Sequence, residues 1–132
     1  MDYYRIEWHD GLALGDERVD VQHRELIRRI AAIPDDQSPC APALLEELFD
    51  YAAGHFAAEE AYMAELGFPE LPAHRAVHRT LLRTLKSYRA EYEAGRHDLY
   101  SLKYFAFRWV RDHIMDDDRR IGEFARSTRN AS

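Results

Sequence analysis

The chain has 132 residues, 46% of them hydrophobic and 32% charged, with a formal net charge of -6. That length suits one domain with a real core, and an acidic chain without a basic stripe is a poor match for nucleic acid. A single cysteine, Cys40, leaves no internal disulfide framework and argues against zinc–thiolate chemistry. No apolar run approaches the ~20 residues that span a bilayer, and the opening MDYYRIEWHDG lacks the basic and apolar regions of a secretory leader. The expectation is a cytoplasmic protein that engages neither membrane nor nucleic acid.

Residues 1 to about 17 show no helical period, but Tyr3, Tyr4, Ile6 and Trp8 give them apolar surface to pack as an arm. From Val19 the pattern turns helical, with Val19, His23, Leu26, Ile27 and Ile30 at three- and four-residue steps. The Pro-rich stretch from Pro34 to Pro42 breaks that helix. A second helix puts Leu45, Leu48, Ala52, His55, Phe56, Glu59 and Met63 on one face, and Gly67 is placed as a left-handed cap. The third begins near Pro72 and carries His74, Val77, His78, Leu81, Leu85 and Tyr92 before Gly95 stops it. Asp98 can cap a fourth, with Leu102, Phe105, Ala106, Trp109 and His113 inward. The Arg-rich tail predicts a short helix around Arg120 to Ala125 that then frays.

Four amphipathic helices on short links, with no period-two pattern, predict an all-α fold. The architecture is an antiparallel up-down-up-down four-helix bundle with an N-terminal arm and a short C-terminal helix. The domain expectation is one unit over 1–132: arm about 1–17, bundle about 18–118, tail 119–132. With no apolar stripe left over, a monomer is expected.

Five of the seven histidines, His23, His55, His74, His78 and His113, fall on inward faces, and two carboxylates accompany them. Residues four apart on a helix stand roughly 5–6 Å apart on one face. His74 with His78, and His55 with Glu59, can therefore each serve one centre. His113 and Asp118 are five apart, so both serve one site only if the helix ends or distorts between them, within Asp116-Asp117-Asp118. Buried imidazoles need partners, and imidazoles with carboxylates suit iron, manganese or zinc. Two six-coordinate ions offer twelve positions. Five imidazoles, two bridging carboxylates and a bridging oxide or hydroxide fill eleven, leaving one for a small ligand. Asp116 and Asp117 read as a solvated helix end, and His9 and His97 as solvated outliers.

The ordered set resembles the hemerythrins, in particular the single-domain bacterial hemerythrins. Their pattern is a lone His, then H-x3-E, H-x3-H and H-x4-D on four successive helices. Here it stands as His23, His55-Phe-Ala-Ala-Glu59, His74-Arg-Ala-Val-His78 and His113-Ile-Met-Asp-Asp-Asp118, and the likeness runs from Trp8 to Asp118. The resemblance implies a non-heme di-iron centre with a bridging oxide or hydroxide and O2 as its reversible ligand. It puts His74, His78 and His113 on one iron, His23 and His55 on the other beside the open position, and Glu59 and Asp118 across both. Phe56, Trp109, Val110 and Ile114 adjoin the ligands and are expected to line the O2 pocket, with Val110 where the family suggests leucine.

Two rival functions come from other classes. A di-iron oxidase or peroxidase of the carboxylate-rich kind carries Glu-x-x-His pairs, and this chain has none. An oxygen or redox sensor would have to act through a separate partner, since only fourteen residues follow Asp118. The residues favour reversible O2 binding, for storage, delivery to an oxygen-using partner protein, or sensing.

Overall fold

The computed structural model describes Trp8 and residues 10–130, the side chains of 129 and 130 excepted. Of the expected arm, Tyr3, Tyr4 and Ile6 lie outside the described residues, as does the outlier His9. After a 3-10 turn at Asp10–Leu12 come helices α1 Glu17–Ala31, α2 Ala41–Leu66, α3 Leu71–Glu93, α4 Leu99–His113 and α5 Arg119–Asn130. A five-residue π-helical turn, Ile114–Asp118, joins α4 to α5. No strand occurs among the described residues.

Local chemistry sets these boundaries. The Asp16 carboxylate accepts from the backbone N–H groups of Arg18 and Val19 at 3.0 and 3.3 Å, so α1 starts two residues before the apolar period does. α1 ends at Ala31, before the Pro-rich stretch, and Pro42 at the end of that stretch sits in the first turn of α2, where its missing N–H costs nothing. Gly67 closes α2 at φ 69°, a left-handed conformation that a side chain would strain. Asp98 accepts the Ser101 N–H at 2.8 Å at the start of α4.

The helices pack in a ring, α1 on α2 and α4, α3 on α2 and α4, as short links between antiparallel neighbours require. The main core fills one end with Leu26, Ile27, Ile30, Leu45, Leu48, Leu85, Leu99 and Leu102. A smaller cluster of Met63, Phe68 and Ile121 closes the other end. Between these two apolar plugs lies a buried polar layer.

The C-terminal helix is longer than the sequence suggests, running to Asn130 and not ending near Ala125. Ile121 is buried and Phe124 packs beside it against Phe68, so a narrow apolar edge docks the Arg-rich helix. Gly122 lets it approach closely, since a Cβ there would lie 3.1 Å from the Leu14 carbonyl. Arg126 and Arg119 donate to the carbonyls of Leu14 and Gly11 at 3.2 and 3.1 Å. The same segment is tied to α1 by buried Asp20, whose carboxylate accepts the N–H groups of Leu14 and Gly15 at 2.8 and 3.2 Å.

Asp20→Ala leaves the buried Leu14 N–H unmet and is expected to destabilise the chain by about 1–3 kcal/mol. Denaturant unfolding measures this, and bound metal per folded chain should be unchanged because Asp20 is not among the metal-facing groups.

Candidate metal centre

The polar layer is built from His23 on α1, His55 and Glu59 on α2, His74 and His78 on α3, His113 at the end of α4, and Asp118 at the end of the π turn. All seven are buried, His23 and Asp118 completely. One turn of helix stacks His55 over Glu59 and His74 over His78, so these pairs follow from spacing alone.

Asp118 needs more, because five residues along an α-helix point well away from His113. The π turn solves this by widening the coil, and π turns often mark functional positions. It brings both following carboxylates onto one imidazole. Asp118 Oδ1 lies 3.1 Å from His113 Nε2, and Asp117 Oδ2 lies 2.9 Å from His113 Nδ1. The reading of Asp117 as a merely solvated residue is therefore corrected, whereas Asp116 is exposed.

The carboxylate oxygens divide the histidines into two groups. Glu59 Oε1 lies 3.0 Å from His74 Nε2 and 2.9 Å from His78 Nε2, while its Oε2 lies 3.5 Å from both His23 and His55 Nε2. Asp118 repeats the division: Oδ1 is 3.0 Å from His74 Nε2, and Oδ2 is 3.1 Å from His23 Nε2. Two overlapping sets result. One is Glu59, Asp118, His74, His78 and His113; the other is Glu59, Asp118, His23 and His55, each with ligand atoms within 4.8 Å of one another.

These atoms suit cations. Nε2 of His23 and His55, Oε2 of Glu59 and both oxygens of Asp118 are shut from solvent without a hydrogen-bond partner among the described residues. Several of them lie 3.1–3.5 Å apart, close enough to share one cation. Buried polar atoms are normally satisfied, and lone pairs that converge without bonding to one another are satisfied by metal ions. Hard oxygen with imidazole nitrogen, and no thiolate, is a donor set for iron or manganese.

The charges of the metal-free chain point the same way. Burial opposes charge on His23, His74 and His113, but Asp118 and Glu59, joined at His113 by Asp117, outweigh it and push their pKa values up to about 9, about 9 and about 10. Burial dominates at His55 and holds it down to about 4. Burial and Asp118 raise the Glu59 carboxyl, yet the imidazoles around it bring it to about 2. Asp118, against the same burial penalty, is held well below the usual range, His113 being the largest favourable influence. Without metal, protons on histidine do the work of neutralising two buried carboxylates.

Behind this layer sit contacts that the sequence reading does not include. Gln22 Oε1 faces His55 Nδ1 at 2.7 Å, and Glu60 Oε2 faces His78 Nδ1 at 2.8 Å. Glu60 is itself held by Arg75 at 3.0 Å. Glu60 joins different helices and leaves no mark at helical spacing, whereas Asp117 is signalled by its i+4 position from His113. His97 is exposed and stacks on Tyr88 at 5.5 Å, remote from the centre.

A cavity of about 10 Å3 adjoins the two-histidine side, lined by His23, Leu26, His55, Phe56, Trp109, Val110, His113, Ile114 and Asp118. The structure thus brings Phe56, Trp109, Val110 and Ile114 together against the polar layer. Phe56 also stacks on His78 with ring centres 4.0 Å apart.

The metal-free chain carries a pH signature. His23, His74 and His113 stabilise it fully below their ordinary value of 6.5, and that contribution is lost as pH rises through about 9 to about 10. His55 acts oppositely, costing stability as pH falls from 6.5 through about 4. The thermal midpoint of the metal-free chain should therefore fall between neutrality and about pH 10. The metal-loaded chain, whose imidazoles must already be neutral, should lack this decline; parallel curves would contradict the assignment.

Comparison with known proteins agrees with the geometry. The family model described as Hemerythrin HHE cation binding domain matches residues 14–125. The chain is 32% identical over 118 residues to a bacteriohemerythrin of Stenotrophomonas maltophilia, covering 86% of this chain and 77% of the relative. It is 34% identical over 117 residues to a bacteriohemerythrin of Pseudomonas paraeruginosa, covering 86% and 76%. A myohemerythrin of Riftia pachyptila is 28% identical over 111 residues, 84% of this chain and 86% of the relative. With an ordered, buried His/Glu/Asp layer inside a four-helix bundle, the chain belongs to the hemerythrin family of non-heme di-iron, O2-binding proteins.

Proposed function

We propose that this chain is a reversible O2 binder in which His74, His78 and His113 hold one iron and His23 and His55 the other. Glu59, Asp118 and a bridging oxide or hydroxide span the pair. The observation that carries this is the division of each carboxylate, with one oxygen among the three-histidine group and the other toward the two-histidine group. When bound, two ferrous ions supply the two electrons that O2 takes up on binding and returns on release.

The chain's own residues make the process reversible. Phe56, Trp109, Val110 and Ile114 wall the cavity beside the two-histidine group, which is the side with fewer ligands. At about 10 Å3 the cavity is near the lower limit for one water-sized guest. It gives an organic substrate no room, which supports a binder of a small ligand over an oxidase. Apolar walls exclude the water and protons that would strand the centre in the oxidised state. Val110 is the smallest of these wall residues.

A non-enzymatic role, a single domain over 1–132 and a cytoplasmic setting complete the reading. No described helix is long and apolar enough to cross a membrane. Among the described residues the large exposed apolar side chains, Val21, Tyr100 and Met115, belong to separate elements, which supports a monomer. Storage, delivery to an oxygen-using protein and sensing through a partner all use the same site.

The test is the visible spectrum of the anaerobic ferrous protein before O2, under O2 and after its removal. An absorption band that develops with O2 and fades afterwards, at two irons per chain, is the expected result; immediate and permanent oxidation would favour an oxidase or redox sensor. Val110→Leu narrows the cavity and should lengthen the life of the oxygenated form, read as a slower loss of the band.

A further inference from the structure

The groups behind the histidines are not alike on the two sides. On the three-histidine side, His78 Nδ1 faces the Glu60 carboxylate at 2.8 Å and His113 Nδ1 faces the Asp117 carboxylate at 2.9 Å. On the two-histidine side, His55 Nδ1 faces the neutral amide oxygen of Gln22 at 2.7 Å, and His23 Nδ1 is buried with no partner among the described residues. An imidazole bound to metal through Nε2 carries its proton on Nδ1, and its donor strength rises with the basicity of what accepts that proton. A carboxylate draws the proton strongly, an amide weakly, and an absent partner not at all.

We infer that Glu60, Asp117 and Gln22 are positioning residues that grade the two metal positions, making the three-histidine side the strong, electron-rich one and leaving the two-histidine side weak. This rests on the ligand assignment proposed above and adds to it. The three-histidine side already has one more ligand, so some inequality is built in; the new claim is that second-layer chemistry widens it and that residue 22 sets the weak side. The arrangement has a use. The weakly held ion is the one beside the cavity, where a less electron-rich metal releases O2 more readily. Position 22 is half-buried, one helical turn after Arg18, so a carboxylate there would have a cation within reach.

The experiment uses the full chain loaded with Co2+, dialysed against rising concentrations of a chelator, with ions per chain and visible absorption followed together. Wild type should release its two ions in separate steps. Gln22→Glu should shift the earlier step alone to about 10–100-fold higher chelator. Glu60→Gln and Asp117→Asn should shift the later step by a similar factor in the opposite direction, and Asp117→Glu should restore part of it. A folded Gln22→Glu chain in which neither step moves overturns the inference. So do carboxylate variants that weaken both steps equally, because that marks a purely structural role. Should Gln22→Glu not fold, the two carboxylate variants decide alone. A wild-type chain that takes fewer than two ions fails the ligand assignment itself, before any variant is compared.

Discussion

Two carboxylates buried side by side among five imidazoles are the constraint around which this bundle is arranged. Glu59 and Asp118 are both almost fully screened from solvent, and among the described residues their ion-pair partners are all histidines, with no Lys or Arg. An ionised carboxylate without compensation is far too costly to bury. Protons on histidine offset that cost in the metal-free chain; metal ions offset it better, because they also meet the lone pairs that hydrogen bonds leave unmet. Folding and metal loading are therefore linked, as ions that bind only the folded state stabilise it.

The rest of the fold serves this layer from both ends. The long apolar core on one side and the Met63, Phe68 and Ile121 cluster on the other keep water from reaching it along the bundle axis. Helix α5 contributes through Ile121, which makes the helix part of the seal as well as a continuation of the π turn that presents Asp118. Among the described residues the π turn is the one irregular stretch in otherwise regular helices. It stands where the spacing of two ligands does not fit 3.6 residues per turn.

Much of the centre was legible in the sequence because helices convert spacing into geometry. Pairs at i, i+4 put His55 with Glu59 and His74 with His78, and the awkward i, i+5 spacing of His113 and Asp118 foretold a distortion where the π turn lies. What escaped was chemistry not encoded in inward faces. Asp117 stands at i+4 from His113, but it sits in a run of three acidic residues and is partly exposed, so it reads as part of a solvated helix end. Glu60 reaches His78 across two helices, and Gln22 reaches His55 in the same way. The extent of α5 was hidden because arginines and a glycine mask an apolar edge of two residues, and docking against Leu14 supplies what intrinsic propensity lacks.

The central claim, that one layer of seven side chains holds two ions shared by two carboxylates, is tested most directly by diffraction from crystals of the iron-loaded protein at the iron absorption edge. Two separate anomalous peaks are predicted, both between Glu59 and Asp118, one against His74, His78 and His113 and the other against His23 and His55. A single peak, or peaks away from those carboxylates, would contradict the account.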